Sequence, residues 1–346
     1  MSNNDDKLVR DVETVGKDIS ADIQTVPWRE FPRTTLRGVG QVMFQDNMWT
    51  GILFLCGIFW GAYMEHFHLV AWGCLVGVLS STLAGYVLKL PDGKGAQGLW
   101  GFNGALVGCA FPTFLGETWA MWIALVFCAA MSTWVRSALD NVMGRWGVSS
   151  LTFPFVISTY VFLLAARYFY GMPPTNLSSP DLLTLLTPEQ VAQHQQIDMG
   201  FGSLVVYWLR GISQVFLIKS WVTGIFFLAA LAVSSVRAAI WAAIASALSL
   251  FIALCWGGPG EAISNGLYGF SAVLTGIALG ATFCNFSWRA AIWCLLGIIA
   301  TVFVQAAMNA FFSPMGLPTL TGPFCITTWF FLFPAYKMFA PKPAAS

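Results

Sequence analysis

Charge is scarce in this chain. Only 10% of its 346 residues are Asp, Glu, Lys or Arg, against about 25% in an ordinary soluble domain. So few charges could not cover a surface on a chain that is 57% apolar, and the solvent implied is lipid. Histidine is scarcer still. His66, His68 and His194 are the three present, all in stretches that read as loops. No Asp or Glu falls in the middle of a predicted span, so proton relays and cation sites lack their usual groups. No phosphate-binding loop occurs, which leaves no sign of ATP-driven pumping. The eight cysteines form no CxxC and mostly lie in apolar runs. They read as small buried hydrophobes, and neither a metal nor another cofactor is expected. A net charge of +1 offers nucleic acid no electrostatic footprint. The polar N-terminus through Arg33 does not read as a cleavable signal peptide.

What is present is long apolar sequence. Ile52 to Trp60, Leu69 to Leu88, Met121 to Trp134, Thr152 to Ala166 and Ile292 to Val304 carry almost no ionisable group. A spanning helix needs about 20 such residues.

The chain also repeats itself. Leu36-Arg37-Gly38-Val39-Gly40-Gln41-Val42 recurs 173 positions on as Leu209-Arg210-Gly211-Ile212-Ser213-Gln214-Val215. Gly98-Leu99-Trp100-Gly101-Phe102-Asn103 recurs 168 positions on as Gly266-Leu267-Tyr268-Gly269-Phe270-Ser271. Leu151-Thr152-Phe153-Pro154-Phe155 recurs 169 positions on as Leu320-Thr321-Gly322-Pro323-Phe324. The blocks are collinear, so each half is one structural unit. The pattern predicts a tail over 1–34, a first repeat over 35–171, a linker over 172–203, a second repeat over 204–340 and a tail over 341–346. Leu182 to Leu186 with Pro188-Glu189 predicts a short interfacial helix inside the linker.

Predicted helices lie at 36–64, 67–90, 103–116, 118–136 and 151–171, then at 207–235, 237–256, 271–285, 287–311 and 322–339. The expected fold is therefore an all-α integral membrane protein of ten spans. Five spans per half place the second half upside down relative to the first, as in inverted-repeat transporters. Charge supports this topology. With the N-terminus in the cytoplasm, the inside segments collect Lys7, Arg10, Lys17, Arg29, Arg33, Arg37, Lys89, Lys94, Arg136, Arg145, Arg237, Arg289, Lys337 and Lys342. The outside loops near 65–68, 115–117, 172–203, 257–262 and 312–318 hold no Lys or Arg. Both termini are then cytoplasmic.

Two glycine-rich stretches, Pro91 to Phe102 and Gly257 to Phe270, are too short to cross. Each is expected to form a re-entrant half-helix ending near Phe102 or Phe270, with carbonyl oxygens left over at its C-terminus. Thr152 and Thr321 precede a Pro in the first turn of a helix. Either they cap that turn or they set hydroxyls beside the centre of a pathway. Gln41 and Gln214 are uncharged polar residues on apolar segments and must face protein or a pore. Arg37 and Arg210 read as interfacial anchors. The pathway implied is neutral and carbonyl-lined, fit for small uncharged solutes moving downhill.

At these blocks the chain resembles the urea transporter family. The resemblance rests on LRGVGQVMFQDN at 36–47, GLWGFNGALVG at 98–108, LTFPF at 151–155, LRGISQV at 209–215, GLYGFSAVLTG at 266–276 and LPTLTGPF at 317–324. It covers both halves, in order. It implies a passive urea channel in the bacterial inner membrane, a homotrimer among membrane lipids with one urea pore per protomer. It implies that Gln41, Phe44, Phe102 and Leu106 line one side of the pore and Gln214, Val215, Phe270 and Leu274 the other. Thr152 and Thr321 would mark the middle, and carbonyls near Gly101-Phe102 and Gly269-Phe270 would form oxygen ladders. Two departures stand out: Lys219 replaces an acidic or amide residue, and Ser271 replaces Asn103. Lys219 is expected near the cytoplasmic mouth. A channel for another small neutral solute on the same fold (a short amide, ammonia or water) is the alternative. A membrane enzyme is disfavoured, because no intramembrane His, Asp or Glu cluster exists to serve it.

Overall fold

The computed structural model describes residues 26–90, 95–180 and 188–338. The two tails beyond these, Pro91 to Lys94 and the Leu182 to Leu186 segment lie outside the described residues. Within the described residues the chain is all-α, without a named strand; Leu115 and Pro174 form an isolated antiparallel bridge. The first half contains α1 (Phe31–Gln41), α2 (Met48–Met64), α3 (Leu69–Leu88), α4 (Phe102–Phe114), α5 (Trp119–Met143) and α6 (Phe153–Ala165). After the short helix Pro188–His194, the second half contains α7 (Phe201–Ser213), α8 (Trp221–Ser234), α9 (Val236–Cys255), α10 (Gly269–Ile277), α11 (Trp288–Phe312) and α12 (Gly322–Met338).

Short polar side chains set where many of these helices begin. Asn47, Thr118, Ser220, Ser235 and Ser287 stand at the N-caps of α2, α5, α8, α9 and α11. Each accepts a hydrogen bond from a backbone N–H of the first turn. In lipid this matters more than in water, because no solvent is at hand to satisfy those donors.

The caps also correct one expectation. Residues 36–64 and 207–235 are not single continuous helices. Each is broken in two, and the second pair is bent by 70°. Phe44 and Leu217 take left-handed backbone, with φ of 62° and 57°, and Asn47 and Ser220 then start a new helix. Apolar content alone did not reveal the break, since α8 is apolar throughout.

A second correction concerns the glycine-rich stretches. Their described residues hold only a single 3-10 turn, Gly95–Gln97, and a five-residue helix, Gly260–Ser264. Both end at a left-handed glycine, Gly98 at φ 86° and Gly266 at φ 75°. Phe102 and Phe270 therefore stand at the start of the following helix rather than at the end of a half-helix. A Cβ on Gly98 would meet the Gly38 nitrogen at 2.4 Å, and one on Gly266 the Gly211 nitrogen at 2.5 Å. In both halves the turn thus lies directly against the first helix, and only glycine fits.

Among the described residues four helices are long and apolar enough to cross a bilayer: Leu69–Leu88, Trp119–Trp146, Val236–Cys255 and Trp288–Met315; the bent pair adds a fifth if it forms one span. The remaining apolar helices have 10–17 residues. Close backbone approach packs them. A Cβ on Gly73 would meet Gly108 O at 2.1 Å, and one on Gly77 would meet Gly104 O at 2.1 Å. This is the small-residue contact by which helices associate in lipid.

The halves touch reciprocally. Thr50 Oγ1 donates to Ala230 O at 2.9 Å, and Thr223 Oγ1 donates to Gly57 O at 2.8 Å. Both the donors and the acceptors are separated by the 173-residue repeat. Likewise Tyr160 Oη donates to Pro318 O at 2.9 Å, and Trp329 Nε1 donates to Ser149 O at 3.0 Å, with both pairs related by 169 residues. Residue i contacts j, and the counterpart of j contacts the counterpart of i. The repeat spacing changes from 168 to 169 across a π-helical turn, Ala278–Thr282, which continues α10 and takes up one extra residue.

Candidate functional site

Thr152 and Thr321 meet where the two halves join. Their hydroxyls are 2.6 Å apart, and Thr152 Oγ1 also lies 3.3 Å from Cys325 Sγ. Thr152 occupies the N-cap position of α6, but its hydroxyl makes no capping bond. The side chain is turned to its counterpart instead. The first turn of α6 is capped from another helix: Asn103 Oδ1, on α4, accepts the Phe155 N–H at 3.1 Å. Leu151 and Leu320, just before the two threonines, hold φ of 54° and 49°. Non-glycine residues rarely adopt this backbone, and such strain persists where the surroundings fix it.

A cavity of about 250 Å³ opens on one side of this pair. Gln214, Val215, Leu217, Phe270 and Thr321 line it from the second half, and Phe114 and Phe155 from the first. Gln305, Asn309 and Thr319 add neutral polar groups, and no Asp, Glu, Lys, Arg or His is among the lining residues. On the other side of the pair Phe44 packs edge-on against Phe283 and Phe324, with ring centroids 5.6 and 5.9 Å apart. The repeat relates Phe44 to Leu217, Phe283 to Phe114 and Phe324 to Phe155. The smaller Leu217 thus stands in the cavity where its counterpart Phe44 fills the space with a ring.

Gln41 and Gln214 do matching work. Gln41 Nε2 donates to Gln97 O at 3.0 Å, and Gln214 Nε2 donates to Asn265 O at 2.9 Å. Arg37 and Arg210, expected as interfacial anchors, bind the adjacent carbonyls: Arg37 Nη1 donates to Ala96 O at 3.0 Å and Arg210 Nη1 to Ser264 O at 2.9 Å. The carbonyls expected in the first-half ladder are already engaged. Thr133 Oγ1 donates to Trp100 O and Ser81 Oγ to Gly101 O, each at 3.2 Å. The oxygens beside the short helical turns are those of Ala96 and Gln97 and of Ser264 and Asn265.

Of the other expected site residues, Phe102, Leu106 and Leu274 are buried, the two leucines completely. Lys219 is exposed, in a second cavity with Glu65, Phe67 and Asn176. On the expected topology those neighbours are outside loops, so the cavity groups Lys219 with the face opposite the one expected for it. Its counterpart Asp46 forms an ion pair with Arg37 at 3.2 Å.

Sequence reasoning missed Cys325, the Phe114, Phe155, Phe283 and Phe324 rings, and Gln305 with Asn309. A signal did exist for the rings: Phe114 with Phe283 and Phe155 with Phe324 are separated by the same 169 residues as the two threonines.

Apolar helices around a neutral, aromatic-walled cavity between two like halves define a membrane transport protein. The comparisons narrow the class. The urea transporter family profile matches residues 33–336. Urea transporter 1 of Ovis aries is 31% identical over 321 residues, covering 91% of this chain and 78% of that protein. Urea transporter 1 of Capra hircus is 30% identical over 321 residues, with the same coverage. Urea transporter 1 of Mus musculus is 29% identical over 306 residues, covering 88% of this chain and 77% of that protein. The chain belongs to the urea transporter family. It is a transporter, not an enzyme.

Proposed function

We propose that this protein is a passive channel for urea. The observation that carries the reading is the threonine pair at 2.6 Å, set between a neutral cavity and a phenylalanine cluster in a chain of this family. Urea is flat and uncharged, so aromatic walls select it by shape. Its N–H groups exchange water for carbonyl and hydroxyl oxygens in steps, and weak successive sites permit rapid transit. A lining without ionisable groups gives a permeating ion nothing to offset its desolvation.

On this reading Gln41, Phe44, Phe102 and Leu106 flank the inner half of the route, Gln214, Val215, Phe270 and Leu274 the outer half, and Thr152 and Thr321 its narrowest step. The repeats, 35–171 and 204–340, are related by a pseudo-two-fold axis through the threonines, which the reciprocal hydrogen bonds between halves support. They cross the membrane ten times in opposite senses, with both termini cytoplasmic. The short helices α4, α6, α10 and α12 end near the route rather than at a bilayer face. The assembly is a homotrimer in the cell membrane.

Purified protein in liposomes, followed by stopped-flow light scattering, tests the function. Urea permeability well above that of empty vesicles is expected. Equality with empty vesicles removes the reading, and parallel runs with formamide, ammonia and water then show whether another neutral solute takes its place.

A further inference from the structure

One ion pair in the first half joins a buried arginine to a partly exposed aspartate and has no charged counterpart in the second half. Arg136 and Asp140 lie one turn apart on α5. Asp140 Oδ2 accepts from Arg136 Nη1 at 2.7 Å, and Asp140 Oδ1 accepts the Ser150 N–H at 2.8 Å. Arg136 is only 3% exposed and Ser150 is fully buried. Ser150 is followed by Leu151, with its φ of 54°, and then by Thr152. One carboxylate therefore grips the strained segment that presents the central hydroxyl. The repeat puts Gln305, Asn309 and Thr319 where the first half has Arg136, Asp140 and Ser150. Gln305 donates to Leu267 O instead, and all three line the cavity. The same scaffold thus carries a charge-clamped threonine loop on one side and a neutral loop facing open space on the other.

We propose that Asp140 is a positioning residue for the central step. It acts through the Ser150 N–H to hold the Thr152 hydroxyl against Thr321, while Arg136 balances its charge. The inference rests on the threonine pair being on the solute's route. What the loop needs is an acceptor at position 140; the charge is needed only because an isolated buried Arg136 would be costly.

Two double variants separate acceptor from charge. R136Q/D140N installs the residue types that stand at the equivalent positions of the second half, Gln305 and Asn309, and keeps an acceptor for Ser150. R136Q/D140L removes the acceptor without leaving a charge behind. Each would be purified, reconstituted and assayed for urea and formamide permeability. R136Q/D140N is expected to keep the urea-to-formamide ratio of the parent. In R136Q/D140L the ratio should fall by about tenfold, the factor that accompanies loss of one buried hydrogen bond. A purely structural role lowers the amount of functional channel, which scales both solutes alike. An unmoved ratio in R136Q/D140L, or an equal fall in R136Q/D140N, overturns the proposal. A parent that conducts no urea would instead sink the urea reading itself.

Discussion

Thr152→Val tests the central step most directly. Valine matches threonine in shape but not in chemistry, so the phenylalanine packing on either side should survive. What is lost is one of two hydroxyls held 2.6 Å apart. On the proposed route, urea at this point would have left most of its water and would bond to Thr152, Thr321 or Cys325, the polar groups joined there. Losing one oxygen at the barrier withholds one hydrogen bond, about 1 to 1.5 kcal/mol. That corresponds to a roughly tenfold lower urea permeability. An opposing effect must be weighed. In the parent the two hydroxyls satisfy each other, and valine at 152 frees Thr321 to bond the solute. Thr321 is only 3% exposed, however, and offers the solute one hydroxyl where the parent offers two. The net expectation is a loss, with Thr152→Ser close to the parent. The Thr152→Val/Thr321→Val double variant should depart from the product of the single effects, since the groups are in contact. Stopped-flow measurements on equal amounts of reconstituted, monodisperse protein give these numbers. A Thr152→Val channel as permeable as the parent would falsify the assignment of the threonine pair to the narrowest step.

Leu217→Phe gives the second half the residue that fills the first at Phe44. It should shrink the 250 Å³ cavity and lower flux of N-methylurea more than that of urea, as read by paired permeability measurements. Gly77→Leu forces a side chain into Gly104 O, which a Cβ alone would meet at 2.1 Å. Overpacking of this kind costs about 1–3 kcal/mol or more, so a lower melting temperature or failure to purify as a folded species is expected. Asn47→Ala removes the cap that accepts from the Trp49 and Thr50 N–H groups. The loss of about 1 kcal/mol should appear in thermal denaturation with little change in urea permeability. Flux should be flat from about pH 6 to 8, the range in which an ordinary histidine titrates, because the cavity lining holds no histidine, acid or amine. A sigmoidal pH profile there would mean that a group outside this lining governs passage.

The repeat, the lipid environment and the pairing of Thr152 with Thr321 were readable from sequence because each depends on composition or on exact recurrence. The breaks at Phe44 and Leu217 were not. Neither carries glycine or proline at the break itself, and the backbone there is set by tertiary contacts. The available clue was the polar residues that follow, Gln45-Asp46-Asn47 and Lys219-Ser220, of which Asn47 and Ser220 are good N-caps. The glycine-rich stretches misled for the opposite reason. Glycine did mark irregular backbone against another segment, but it did not say on which side of the turn the helix would lie. Gly98 and Gly266 end one short helical piece, and the longer helix begins after them. Phe102 and Phe270 were therefore correctly singled out as a pair and assigned to the wrong end of a helix.

The pattern of backbone strain follows the same geography. Leu151 and Leu320 precede the threonines, and Phe44 and Leu217 occupy equivalent places in the ring clusters beside them. Each holds a left-handed conformation without being glycine, at a cost of about 1–3 kcal/mol. Glycine would adopt it freely. In the ring clusters the side chain explains its retention: Phe44 packs on Phe283 and Phe324, and Leu217 lines the cavity. Before the threonines, buried leucines fix the turn so that the next residue faces its counterpart rather than capping its own helix. Matching strain in both halves, at residues grouped around one hydroxyl pair, argues that the backbone distortion belongs to the solute's route and not to loop geometry alone.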